Sequence, residues 1–189
     1  MQPAPVHQPT LYEALEALPE GVVGEILNGQ LYTQSRPSGS HGQIALNLAV
    51  RVGGPGGWWI CPEPEVHFIR DTEVAVPDLA GWRCERRPYP PEGHRFEIVP
   101  DWVCEILSPS TKRKDCEDKM PLYVRYGVRY AWLIDPVEHT FEVYRLVAGA
   151  WVKVGRFAEA DQVVAPPFEA VSIDLKGLWL PRQLRLVER

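Results

Sequence analysis

Apolar and polar positions alternate along the chain in two periods, and their order predicts an α/β protein. Thr10 followed by Glu13 has the spacing of a capping box, which predicts a short helix over Leu11–Leu18. Gly24–Arg36 reads as a hairpin, with Ile26 and Leu31 flanking Asn28-Gly29, a pair suited to the positive φ angles of a type I′ turn. Ser40 and Gln43 mark a second helix start. Ile44, Ala45, Leu48 and Val52 give that helix an apolar stripe, broken only by the Arg51 stem, and Gly53–Gly57 ends it.

Two longer strands follow, Trp59–Ile69 and Glu73–Trp82, joined around Asp71, with Pro62 and Pro64 holding the first to an edge or an irregular start. Arg83–Val99 is rich in arginine, proline and glycine and reads as a surface loop. Asp101–Leu107 is apolar enough for a buried strand. Ser108–Thr111 turns from it into a helix over Lys112–Tyr126, capped by Gly127, and Arg129–Ile134 forms the next buried strand. Phe141–Arg145 and Trp151–Phe157 make a hairpin around Ala148-Gly149, and Val171–Leu175 leads to a short turn before Trp179. Strand, helix and strand between Asp101 and Ile134 have the length of a parallel crossover, so the fold is a mixed β-sheet flanked by helices.

Composition narrows this without redirecting it. A chain of 189 residues, 45% hydrophobic and with seven tryptophans, can bury one core, and we divide it into a flexible tail over 1–9 and a single domain over 10–189. The net charge of −5 gives no global footprint for nucleic acid, so any phosphate-binding surface is local. The dense basic run is Lys112-Arg113-Lys114. Four cysteines lack CxxC or zinc-finger spacing and fit a reduced compartment. No basic region followed by an apolar stretch opens the chain, and no apolar run approaches the ~20 residues that span a bilayer, so the expected location is cytoplasmic.

Candidate chemistry centres on Asp78, in Val76-Pro77-Asp78-Leu79, and Glu105, in Cys104-Glu105-Ile106-Leu107-Ser108. Both acids sit in short apolar runs, where a charge is costly unless paired. Two acids that repel each other, with Lys119 nearby, suit a divalent metal and a phosphate. Strand alternation puts Val103, Glu105 and Leu107 on one face, and Trp102, Cys104 and Ile106 on the other. Plainer readings stand beside these. Asp78 would accept backbone hydrogen bonds at a strand end, Glu105 would pair with Lys119 or Arg129, and Lys119 would make a surface i,i+4 bridge to Asp115. Ser108, Ser110 and Thr111 would cap the helix or bind phosphate, and Asp135 before Pro136 reads as a turn residue. Ser108 lacks a GxSxG elbow, and a glycosidase using Asp78 and Glu105 would leave Lys119 without a role.

Glu25-Ile-Leu-Asn-Gly29, Val76-Pro-Asp-Leu79, Glu105-Ile-Leu-Ser-Pro-Ser-Thr111, Asp115-Cys-Glu-Asp-Lys119, Tyr123–Gly127 and Tyr130-Ala-Trp-Leu-Ile-Asp-Pro136 run in an order, over roughly Leu11–Trp179, that resembles the Uma2 (DUF820) family of the PD-(D/E)xK superfamily. The resemblance implies a restriction-endonuclease-like core and a metal-dependent nuclease. It implies Asp78 and Glu105 as ligands of Mg²⁺ or Mn²⁺, with the Ile106 carbonyl as a further oxygen donor. The superfamily's lysine falls two residues after the second acid, where this chain has Leu107; the resemblance moves that role to Lys119. It also marks Glu25 as a third catalytic carboxylate, beside the plainer reading of an exposed strand residue, and puts His41 in a family-like position, where a solvated helix cap is the simpler reading. Lys112, Arg113 and Lys114 would position DNA through its backbone. The rival to catalysis is a nucleic-acid-binding or protein-interaction module that keeps the fold, and a homo-oligomer through the Phe141–Phe157 hairpin is compatible with either.

Overall fold

The computed structural model describes residues 8–35, 39–90 and 92–179. The tail expected over 1–9 lies almost wholly outside them, as does the side chain of Ser40 in the expected second capping box. Helix α1 (Leu11–Glu16) opens on the expected box, with Thr10 accepting the Glu13 N–H and Glu13 accepting that of Thr10. Strands β1 (Val22–Leu27) and β2 (Gln30–Ser35) pair through a turn in which Asn28 and Gly29 have φ of 52° and 73°. Helix α2 (Gly39–Gly53) buries Ile44, Ala45, Leu48 and Val52 and leaves Leu46 and Val50 exposed.

The two long strands expected next are each broken once. β3 (Trp58–Pro62) and β4 (Glu65–Ile69) meet at a corner around Glu63-Pro64; β5 (Glu73–Ala75) and β6 (Leu79–Arg83) meet at a corner around Val76-Pro77-Asp78. Proline has no N–H to give a ladder, and three prolines fall where these strands bend. The corners are tied together, the Glu63 N–H donating to the Asp78 carbonyl at 3.1 Å. The inner and outer halves of the hairpin therefore join different sheets. The expected long loop after β6 contains a two-residue strand, β7 (Arg95–Phe96), parallel to β4. β8 (Trp102–Ile106) follows.

After β8 the expected helix is helical over its length but not uniform. A turn of α-helix, α3 (Lys112–Lys114), passes into a π-helical turn over Asp115–Lys119 and then α4 (Met120–Arg125). Pro121 explains the wider turn, because it cannot donate to the carbonyl four residues back. The Met120 N–H reaches instead to the Asp115 carbonyl, five residues back. β9 (Tyr130–Asp135) returns parallel to β8, and β10 (Thr140–Val147) and β11 (Ala150–Ala158) form the expected hairpin around Ala148 and Gly149. A short pair, β12 (Gln162–Val163) and β13 (Ile173–Asp174), is the last strand pairing among the described residues.

The expected mixed α/β architecture is present, its strands shared between two principal sheets, of order β2-β1-β5-β4-β7 and β11-β10-β9-β8-β6-β3. One face of the larger sheet presents Trp102, Cys104, Ile106, Trp132 and Ile134 to α2 and to Phe168, with Trp102 and Trp132 edge to face at 5.1 Å. On the opposite face Val103, Leu107 and Leu133 pack with Met120, Leu122 and Tyr123 of the helix and with Leu27, Val66 and Ala75 of the smaller sheet. The site lies on this second face. No helix among the described residues is long and apolar enough to cross a membrane.

Candidate active site

The bend after β5 delivers Asp78 to the end of β6, where Leu79 pairs with Cys104 and sets Asp78 beside the end of β8. Asp78 Oδ2 accepts the Ile106 N–H at 2.6 Å, and its Oδ1 lies 2.8 Å from His41 Nε2. Asp78 thus does accept a backbone hydrogen bond, and it also lines a cleft of about 690 Å³ with His41, Glu105, Lys114, Asp115 and Lys119. His41 is not the solvated cap that the sequence suggested; the first turn of α2 holds it partly buried against Asp78.

Glu105 is 1% exposed and fully engaged. Lys119 Nζ donates to its Oε2 at 2.8 Å, and the Tyr123 hydroxyl donates to Oε1. Of the two cations weighed for Glu105, the partner is Lys119, while Arg129 is exposed. The surface reading of Lys119 is corrected: it is 2% exposed, and its ammonium also donates to the Val76 carbonyl at 3.0 Å, with Glu25 Oε1 at 3.2 Å and Asp115 Oδ1 at 3.6 Å. The π turn brings Asp115 and Lys119 inward together, both buried. Leu107, two residues after Glu105, packs in the apolar layer.

Glu25 faces the interior from β1, its Oε1 accepting the Val76 N–H at 2.8 Å and its Oε2 accepting from Lys114. Lys114 also donates to Gln34 Oε1 at 2.7 Å. The three basic residues do not make one patch. Lys112 pairs with Asp135 at 2.8 Å, Arg113 with Glu117 at 3.1 Å while 88% exposed, and Lys114 turns into the cleft. Asp135 is the expected turn residue, accepting the N–H groups of Val137 and Glu138. Ser108 accepts the Thr111 N–H at 3.2 Å, and the hydroxyls of Ser110 and Thr111 lie 3.0 and 2.9 Å from its own. Capping and a cleft-lining position coincide at these residues.

Charge in the cleft is unbalanced. Asp78, Glu105 and Asp115 line it with the ammonium groups of Lys114 and Lys119, one acid more than the lysines match, and the buried Glu25 behind them pairs with both lysines. Burial lifts the Glu105 carboxyl well above the usual range against the pull of Lys119, helped by Asp115 and Asp78. Burial raises Asp115 in the same way. Burial opposes a charge on Lys119, but Glu105 and Glu25 outweigh it and raise the ammonium well above its ordinary value. His41 is raised, burial being overcome by Asp78. Glu25 goes the other way: Lys119 and Lys114 hold it below the usual carboxylate value despite its burial.

Among the described residues, no three His, Cys, Asp or Glu side chains stand ready as a ligand shell. The chemistry of the donors nevertheless fits Mg²⁺ or Mn²⁺. Carboxylate oxygens from Asp78, Glu105 and Asp115 border one cleft and are the hard oxygen donors that such ions take. A phosphate alone would add to the excess.

Sequence reasoning missed His41 as a neighbour of Asp78, Asp115 and Tyr123 as members of the buried network, and the inward turn of Lys114. Pro121, inside an expected helix, was the available signal for the altered helical phase.

Comparison with known proteins supplies the lineage. A search of curated proteins gives no match. Among solved structures the chain is similar to a crystal structure described as "a putative nuclease belonging to DUF820" from Anabaena variabilis, at 26% identity and a TM-score of 0.72, covering 91% of this chain and 98% of that one. The model of the Uma2 family, described as "Putative restriction endonuclease", matches residues 9–176. The chain belongs to the Uma2 family.

Proposed function

We propose that the protein is a metal-dependent nuclease hydrolysing phosphodiester bonds in DNA. The observation that carries this is the meeting of Asp78, Glu105 and Lys119, from a strand corner, a strand and a helix, in one cleft of excess negative charge. Asp78 and Glu105, with the Ile106 carbonyl, would hold Mg²⁺ or Mn²⁺, which when bound supplies Lewis-acid polarisation of a phosphoryl oxygen and an acidified water. The protein's own groups do the remaining work. Lys119 brings a positive charge to the point where charge builds on phosphorus, and orients the attacking water. His41 holds one Asp78 oxygen and the Ile106 N–H the other. Lys114 offers the cleft a second cation, and Lys112 and Arg113, on the outer side of α3, contact the DNA backbone without reading bases. The free thiols of all four cysteines suit a reducing cytoplasm. Self-association, if it occurs, has β11 as its open sheet edge.

Nicking of supercoiled and linear duplex DNA tests the proposal. Cleavage is expected with Mg²⁺ or Mn²⁺, absent with chelator, and abolished in Asp78→Ala and Lys119→Ala. Unchanged cleavage in either variant would contradict it. One observation favours a second reading, a binding module without catalysis: both Glu105 oxygens are already engaged, by Lys119 and Tyr123. DNA binding that is indifferent to chelator, with no Mn²⁺ uptake, would establish that reading instead.

A further inference from the structure

Glu105 cannot keep its present partners and accept a divalent cation without cost. An ammonium 2.8 Å from Oε2 and a metal ion on the same carboxylate repel each other strongly inside a buried cleft. One partner has to give way. Tyr123 is fully buried, and among the described residues Glu105 is the acceptor of its hydroxyl, so its departure would strand a buried donor. Lys119 is placed differently. Glu25 Oε1 at 3.2 Å, Asp115 Oδ1 at 3.6 Å and the Val76 carbonyl at 3.0 Å already surround its ammonium. It can leave Glu105 and remain compensated.

Resting on the nuclease reading, we infer that Lys119 is the resident counter-ion of Glu105, and that Glu25 receives its ammonium when a divalent cation takes Glu105. Glu25 is then a positioning residue acting through Lys119, not a metal ligand. Its own contacts agree: Oε1 is held by the Val76 N–H and shared with Lys119, and Oε2 is taken by Lys114. Both oxygens are thus engaged. The backbone bond from Val76 fixes the carboxylate, so the receiving site exists before the cation arrives. Because Lys114 shares that carboxylate, a closer approach of Lys119 loosens Lys114 toward the cleft, where a phosphate would sit.

Calorimetric titration of Mn²⁺, without DNA, into the wild type, Lys119→Met, Glu25→Gln and the double variant tests this. Lys119→Met should bind Mn²⁺ about tenfold more tightly, the scale on which a close charge acts in a cleft. Glu25→Gln should bind it several-fold more weakly, and that loss should disappear in the Lys119→Met background. An equal loss in both backgrounds would mean that Glu25 acts on the metal directly and would overturn the inference, as would unchanged affinity in Lys119→Met. A wild type that takes up no Mn²⁺ would instead remove the nuclease reading beneath it. Should Lys119→Met fail to fold, lysine Nζ resonances of the wild type under Mg²⁺ titration give the answer. Shifts at both Lys119 and Lys114 are expected, and a static Lys119 signal would overturn the inference.

Discussion

The two faces of β8 are built from neighbouring residues and closed by opposite means. Trp102, Cys104 and Ile106 face Trp132, Phe168 and α2, a layer held by apolar area and ring packing. Val103, Glu105 and Leu107 face the helix and the smaller sheet, and at the centre of this layer is a carboxylate that needs partners. Removing water from apolar groups stabilises whichever of them meet, whereas removing it from a charge is tolerated only if specific atoms arrive. The first face therefore has many solutions in sequence. The second requires Lys119, Tyr123 and Glu25 at fixed places.

The sharpest way to break the first face is Trp132→Ala, which deletes a fully buried ring and the hydrogen bond from its Nε1 to the Pro166 carbonyl. A loss of about 3–5 kcal/mol in urea unfolding is expected. Lys119→Met attacks the second face. Metal-dependent cleavage should fall about 10²–10³-fold, as when a positioned charge-stabilising donor is lost. Its urea midpoint should move less than that of Trp132→Ala, because a buried carboxyl left without its ammonium can take up a proton from water instead of staying charged.

Acidity separates the faces further, and separates two glutamates within the charged one. Glu25 is held below the ordinary carboxylate value of about 4.3, so the stability it contributes is present above that pH and lost as pH falls through its folded value. Glu105 is held above it, so its contribution is complete below about pH 4.3 and lost as pH rises through its folded value. Against the wild type, Glu25→Gln should fall behind as pH rises, while Glu105→Gln should gain. Urea midpoints measured across acid and neutral pH check both signs. The smallest effect is expected outside both faces. Arg113→Ala removes one member of an exposed i,i+4 pair and should leave the urea midpoint where it was.

The apolar face was the legible one. Alternation along Trp102–Ile106 assigned each residue to its side, and the capping box at Thr10 and the Asn28-Gly29 turn needed only local chemistry. The charged face was legible in its membership but not in its arrangement. Asp78, Glu105 and Lys119 could be singled out as ionisable groups among apolar neighbours, yet the direction of Lys119 depends on helical phase. Pro121 shifts that phase by widening one turn. Lys114 already points in and Arg113 out in the turn before it. The split of the two long strands was signalled by Pro62, Pro64 and Pro77, but which sheet each half joins is decided by distant partners: β1 for β5 and β8 for β6. His41 meets Asp78 only through the packing of α2, which no local pattern records.

A crystal soaked in Mn²⁺ and measured for anomalous scattering tests the central claim most directly. The expected result is a peak shared by Asp78 and Glu105, with the Lys119 ammonium drawn away from Glu105 onto Glu25. No peak in this cleft, or a peak that leaves Glu105 bonded to Lys119 and Asp78 unliganded, would contradict the account.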